Sequence, residues 1–401
     1  MLEVLEMEQV YDLLKDSFMN MEDQEELVAV SESYHRILAE DIRTRQNFPM
    51  FERSCVDGYA VKASDVFGCS DSLPSILTVI GSVEMGKKSQ YTVEAGQCVY
   101  VPTGAEVPVG ADAMVMIEYI EDYHDGTIGV CKGSPPGEHI IFIGDDAKTD
   151  EILIKRGSRI GIKEIGALSA VGIDKVKVKK RIKAGIISSG NEIIPPVREL
   201  EIGEIYDANG PMIYAALDAI GCEAHFMGIV KDEYEEMKQL VLDCAKQYDV
   251  ILISGGTSVG RKDLTVQVLE ELGEELVHGI AVKPGKPTII GRINEKPFFG
   301  LPGNPVASFF ILNLLVIRFL KELQGETWKD EVLELELDSQ ISSNHGREEC
   351  IAVRIEGNKA VPMSGKSGLI MMLTKADGYI RVGRNCEGLP KNSKVLVHRF
   401  L

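Results

Sequence analysis

The sequence predicts a multidomain α/β protein. A central α/β sandwich with a mostly parallel sheet is flanked by an N-terminal helical linker plus β-rich domain and by a small C-terminal β domain. Three observations carry this. Strand and helix patterns alternate from Arg181 to Leu320, the signature of a parallel sheet covered on both faces. Short apolar runs broken by Gly, Pro and Asp occupy the stretches on either side. And 401 residues exceed what one core usually organises, at ~150 residues per domain.

In chain order, Val10, Leu13, Leu14 and Phe18 fall on one helix face. Leu27, Val28, Val30, Ile37 and Leu38 suggest a second helical region running toward Asp41. Ile76–Ile80, Gln97–Val101 and Ala113–Ile117 read as short strands, and a short helix is expected near Ile162–Val171. In 174–180, Lys alternates with Val176 and Val178, as on a solvated strand edge whose lysines discourage unwanted pairing.

The central unit then reads strand Ala184–Ile187, a helix near Gly210–Ile220 closed by Gly221, strand Ala224–Val230, helix Glu233–Gln247 and strand Val250–Ile253. Helix Leu264–Leu272, strands Thr288–Ile290 and Pro297–Phe299, and helix Val306–Leu320 complete it. Five strand candidates follow a hinge at Thr327–Glu331: Val332–Leu337, Cys350–Ile355, Lys359–Met363, Gly378–Val382 and Lys394–His398.

The balance of 43 basic against 62 acidic residues gives −19. That argues against nucleic acid and against anionic membranes as partners, since both need a surplus of Lys and Arg. The first ten residues hold three glutamates and no basic residue, unlike a signal peptide, and the apolar stretch Val306–Ile317 is too short to span a bilayer. A cytoplasmic protein is expected. The eight cysteines form no C-x-x-C pair, and none lies near a histidine at zinc spacing. Most are expected as small core residues, and Cys55, inside a polar motif, as a packed small side chain.

Polar loops are predicted together at the C-terminal ends of the central strands, where open α/β sheets bind ligands. In Ser254-Gly255-Gly256-Thr257-Ser258, the double glycine lets backbone N–H groups approach an anion; a plain tight turn is the alternative. Lys283 and Lys286 flank Pro-Gly, either to hold an anion or as a solvated turn. Glu192, Asp232 and Asp263 are carboxylates of the same edge. Singly, each suits a helix cap or solvated loop. Together at an anion site they make electrostatic sense once Mg²⁺ joins carboxylate and phosphate oxygens. In Pro302-Gly303-Asn304-Pro305, Asn304 and Pro305 also suit a purely structural helix start.

Taken in order, these motifs resemble the molybdopterin molybdenumtransferase family, MoeA, also found as the gephyrin E domain. The resemblance rests on Ser54–Ala60, Pro102–Glu118, Ser188–Glu192 and Asp207-Ala208-Asn209. It continues through Ser254–Gly260 with Asp263, Lys283–Pro287, Gly300–Pro305, Gly346-Arg347-Glu348 and Ala376-Asp377-Gly378. It implies four parts: an elongated linker domain (1–47 and 130–172), a β-rich domain (48–129), a molybdopterin-binding-like α/β domain (173–326) and a C-terminal β domain (327–401). It implies a homodimer whose cleft lies between the central domain and the β-rich domain of the other copy. The implied reaction moves molybdenum from molybdate into adenylylated molybdopterin, releases AMP and requires Mg²⁺. The adenylyltransferase of the same pathway and molybdoenzymes are implied partners.

Carried over by position, Asp57 and Thr103 line the β-domain side. Glu192, Asp232 and Asp263 handle Mg²⁺ and the oxyanion or phosphoanhydride. Lys283 and Lys286, with Ser254, Gly255, Gly256 and Ser258, bind anionic substrate, and Pro302, Gly303, Asn304 and Pro305 shape the loop over it. The chain departs from the common pattern at Val56, where Met is usual, at Asn191, where Asp is usual, and at Phe142, near which an Arg is usual. Tungsten insertion by the same chemistry, a non-catalytic scaffold of the same fold, and the preceding adenylyl transfer are the competing readings. The retained Asp57, Thr103, Glu192 and Asp263 favour catalysis.

Overall fold

A computed structural model describes residues 4–19, 24–255, 264–344, 346–363 and 370–400. The chain forms two compact units: Met1–Glu40, Gly157–Ile165 and Asp174–Leu401 make one, and Asp41–Arg156 with Gly166–Ile173 the other.

The larger unit is built on a six-stranded sheet. Its order is Glu223–Val230, Lys183–Ser189, Val250–Ser254, Lys296–Leu301, Ile289–Ile293 and Glu274–His278. The first four are mutually parallel, and Ile289–Ile293 runs antiparallel to both neighbours. The sheet is therefore mixed at one side. The reversal comes from a two-residue turn in which Asn294 and Glu295 both have positive φ (50° and 61°), as a type I′ hairpin requires. Strand Glu274–His278 is absent from the sequence reading because its two glutamates hide the strand pattern.

Alternation along the strands fills both faces. Ala184, Ile186, Val250, Leu252 and Phe299 pack with helices Asn209–Ala219 and Pro305–Ile311 and with the N-terminal helix Met7–Phe18. Ile187, Ile251, Ile253 and Phe298 pack with helices Tyr234–Gln247 and Leu264–Leu272. A residue step of one moves a side chain to the other face, so both cores follow from the same β-branched runs. The last central helix continues from Pro305–Ile311 through a π-helical turn, Leu312–Val316, into Ile317–Leu323.

The second helical region expected between Leu27 and Leu38 does not form. Glu25–Ala29 is a strand, followed by a 3₁₀ turn at Val30–Glu32. It pairs antiparallel with Lys175–Lys179, placing Val28 opposite Val176, and Glu25 forms an ion pair with Lys177. The partner lies about 150 residues away, so local periodicity did not reveal it. Val176 and Val178 are buried and Lys175 and Lys177 exposed, as the alternation predicts.

The C-terminal strands close on themselves. Val332–Leu337 pairs with Lys359–Pro362 and Lys394–Arg399, and Glu348–Glu356 pairs with Lys359–Pro362 and Gly378–Val382. Gly378–Val382 joins Lys394–Arg399 and completes a small barrel around Leu337, Val353, Ala360 and Val397.

The smaller unit is a β half-barrel. Its sheet runs Ala113–Met116, Gly58–Val61, Gln97–Val101, Ser75–Ser82, Thr127–Val130 and Ile120–Asp122. Gly58 is required there: a Cβ would lie 1.9 Å from the Val115 carbonyl oxygen.

Cysteines 98, 222, 244 and 350 are buried, and 69, 131 and 386 half-buried. Cys55 is exposed, correcting the expectation of a packed side chain. It lies just after strand Arg53–Ser54, where Ser54 takes the buried position, so the next side chain faces out.

Among the described residues no helix is long and apolar enough to cross a membrane.

Candidate functional site

The C-terminal ends of the four parallel strands bring four polar turns to one edge of the central sheet: 189–192, 230–232, 254–255 and 302–305. Lys286 joins them from the start of a strand. Because Ile289–Ile293 is antiparallel, with Ile289 opposite Gly300, the turn before it lies at this same edge. Lys286 has no side-chain partner among the described residues.

Hydrogen bonds tie these turns together. Ser189 Oγ donates to Asp232 Oδ1 at 3.0 Å, and the Asp232 backbone N–H donates to Asn191 Oδ1 at 3.2 Å. Ser188 Oγ donates to Asp207 Oδ2 at 2.7 Å, while Asp207 Oδ1 accepts the backbone N–H groups of Asn209 and Gly210 at 3.1 and 3.0 Å. Asp207 thereby satisfies donors left open at a helix start. Asn209 Nδ2 donates to Ser254 Oγ at 2.6 Å and to the Gly303 carbonyl at 3.0 Å.

Gly255 is the tightest point. Its φ is +106°, and a Cβ there would lie 1.9 Å from the Ser189 carbonyl oxygen. Only glycine lets the two strand ends approach this closely. Gly303 faces it, with Gly255 Cα 3.5 Å from the position of a Gly303 Cβ. Asn304 caps the following helix by accepting the Ala307 N–H at 3.1 Å, with Pro305 in the first turn, so the structural alternative for these two residues is realised.

The other predicted residues are distributed as follows. Glu192 lies in the 189–192 turn, its Oε2 3.0 Å from where a Gly190 Cβ would be. Lys283 is ion-paired with Glu349 at 2.7 Å, and strand Val282–Lys283 pairs with Glu348 and Glu349 of the C-terminal sheet. Its charge is thus already compensated. Gly256, Ser258 and Asp263 lie outside the described residues. In the half-barrel, Asp57 Oδ1 accepts both the Thr103 backbone N–H (2.8 Å) and Thr103 Oγ (3.0 Å), so the structure joins that predicted pair.

Sequence reasoning assigned no role to Ser189, Asp207 or Asn209. The Asp-x-Asn spacing before a helix was the available signal for Asp207 as a cap; nothing local announced the reach of Asn209 to Gly303, 94 residues on. A cavity of about 820 Å³ opens at the opposite edge of the sheet, lined by residues including Arg36, Lys183, Glu223 and Asp249.

Comparison with known proteins follows the same architecture. Residues 5–172 match the MoeA N-terminal region (domain I and II), 185–322 a probable molybdopterin binding domain, and 334–400 the MoeA C-terminal region (domain IV). A putative molybdopterin biosynthesis protein of Methanocaldococcus jannaschii is 35% identical over 92% of this chain and 91% of its own length. The molybdopterin molybdenumtransferase of Haemophilus influenzae is 35% identical over 76% of this chain and 75% of its own. The solved molybdopterin biosynthesis MoeA protein of Pyrococcus horikoshii superposes with a TM-score of 0.82 at 38% identity, covering 100% of both chains. With its three regions matched in order and relatives of this similarity across nearly all of its length, the chain belongs to the MoeA family.

Proposed function

We propose that this chain is a molybdopterin molybdenumtransferase of molybdenum cofactor biosynthesis, which loads metal from molybdate into adenylylated molybdopterin and releases AMP. The observation that carries this reading is the convergence of the Ser189–Asp232, Asn209–Ser254–Gly303 and Gly255 contacts at one sheet edge, in a chain of the MoeA family. An edge of backbone N–H groups, a lysine with no side-chain partner among the described residues and two or three carboxylates suits an anionic substrate that arrives with a divalent cation.

Mg²⁺ fits the donor set, which is all oxygen. Among the described residues no group of three or more His, Cys, Asp or Glu side chains could hold a metal by itself. Mg²⁺ does not need one, because it keeps several waters and takes one or two carboxylates plus substrate phosphate. Glu192, Asp232 and Asp263 are the residues that would hold it. When bound, it neutralises charge on the phosphoanhydride and on the departing AMP.

The remaining work falls to the chain. Lys286 attracts the anionic substrate, and Lys283 aids it once exchanged from Glu349. Gly255 lets the backbone approach the phosphate, joined by Ser254, Gly256 and Ser258, and Pro302 to Pro305 shape the turn over it. Ser189 holds the Asp232 carboxylate in one orientation. The chain acts as a homodimer, in which Asp57 and Thr103 of one copy complete the site of the other. It receives substrate from the adenylyltransferase of the pathway and passes product to molybdoenzymes.

The test supplies purified protein with adenylylated molybdopterin, Mg²⁺ and either molybdate or tungstate, and measures AMP release and metal-loaded cofactor. Release with molybdate is expected. Release with tungstate alone would reassign the metal, and release with neither would leave a scaffold. Asp263→Ala is expected to abolish turnover with the oligomeric state unchanged.

A further inference from the structure

Asn209 is 4% exposed, and its Oδ1 atom is buried with no hydrogen-bond partner. Buried polar atoms are nearly always satisfied, so an orphaned amide oxygen needs a reason. The two donor bonds supply one. The Gly303 carbonyl can only accept, so the amide nitrogen must face it; a flipped amide would set two acceptors against each other. The second hydrogen of that nitrogen points to Ser254 Oγ, which must therefore accept as well. Ser254 keeps its own proton, and no described residue accepts it.

One amide group thus spans two turns. It holds the end of strand Val250–Ser254 against the 302–305 turn, where a Cβ on Gly303 would lie 3.5 Å from Gly255 Cα. A residue present only to fill space would leave no buried acceptor unpaired. We infer that Asn209 is a positioning residue for the anionic substrate. It fixes the spacing of the Ser254–Gly255 and Gly303 turns and reserves the Ser254 hydroxyl proton for a substrate oxygen. This inference rests on the proposed function and deepens it.

Substitution separates this role from a structural one. Asn209→Asp keeps the shape but sets a carboxylate against the Gly303 carbonyl and captures the Ser254 proton. Asn209→Ala removes both bonds without adding charge. A buried carboxylate costs stability under either role, so the two roles are separated by substrate affinity, measured on variants shown to be folded. With the full-length protein, the dissociation constant and KM for adenylylated molybdopterin are expected to rise about tenfold in Asn209→Ala and further in Asn209→Asp, with kcat changed far less. Combining Asn209→Ala with Ser254→Ala should cost less than the product of the two single losses, because the Asn209–Ser254 bond is shared and only the bond to Gly303 is lost in addition.

Losses that multiply in the double variant, or wild-type binding by Asn209→Asp, would overturn the inference. Should Asn209→Ala fail to fold, the comparison of Asn209→Asp with Ser254→Ala still decides it. Direct binding keeps the two readings apart. A wild-type protein that binds substrate but releases no AMP defeats the proposed function and leaves the affinity pattern to judge Asn209. One that does not bind defeats both.

Discussion

The central sheet edge and the half-barrel loop hold their polar residues in opposite ways. At the sheet edge, Ser188, Ser189, Asn209 and Ser254 are buried and bonded to one another's turns. In the half-barrel, the Asp57–Thr103 pair is exposed, one carboxylate oxygen bracing one loop. A buried network is rigid and costly to break, because each lost partner strands a desolvated group. An exposed pair is re-solvated when broken. The first is built to hold a fixed shape, and the second to present a charge.

Four changes sharpen or break that contrast. Gly255→Ala should be the most damaging. It combines a φ of +106° with a Cβ 1.9 Å from the Ser189 carbonyl, so about 2–4 kcal/mol of stability should go, together with nearly all AMP release. Urea unfolding and a turnover assay measure the two losses, and an unchanged midpoint would show that the edge yields. Asp232→Asn keeps an acceptor for Ser189 but removes the charge. AMP release should fall about a hundredfold with little change in melting temperature, a split that a mere loop cap would not produce.

In the exposed loop, Asp57→Ala should slow turnover by about tenfold while stability stays within about 0.5 kcal/mol. Thr103→Val should do less, since the backbone N–H bond to Asp57 survives. A large stability loss in either variant would erase the distinction between the two regions.

The smallest effect comes from the thiols. Burial pushes Cys98 and Cys222 up to about 12 and Cys244 up to about 11, from the usual 9.0. The folded chain therefore keeps these protons where the unfolded chain loses them. Stability should be constant in this respect below pH 9 and decline from there toward pH 11–12, as melting curves at stepped pH can read. At pH 8 a thiol reagent should modify the exposed Cys55 in the folded protein and reach Cys98, Cys222, Cys244 and Cys350 only on unfolding. Labelling of those four at the rate of Cys55 would mean that the cores open readily.

Much of the fold was legible because its signals are local. Ile251 and Ile253 against Val250 and Leu252 give two faces from one run, and Gly221 and Gly273 stop helices where they stand. What misled was the segment around Leu27, whose strand partner is distant, and Glu274–His278, whose acidic start masks a sheet strand. The carboxylates were found by type, since an acidic residue after a buried strand is visible in any sequence. Their partners were not. Ser189 reads as an ordinary strand end until Asp232 is placed beside it, and Lys283 as a free cation until the C-terminal sheet brings Glu349 to it.

The sequence by itself determined most strands and helices of the central domain, Glu274–His278 excepted, which residue types its loops carry, and the acidic total of −19 that speaks against nucleic acid. Within 251–320 it also set near balance, seven basic residues against six acidic. The tertiary structure decided where those charges go. Glu274 and Glu275 begin a strand whose far end, at His278, lies beside Ile289, so they sit away from the polar turns. Lys286 sits among those turns because a two-residue hairpin reverses one strand. Local preferences choose an element, but pairing, direction and the company of a buried polar group depend on residues far apart in the chain. Only the folded sheet brings Asn209, Ser254 and Gly303 to a single hydrogen-bonded point.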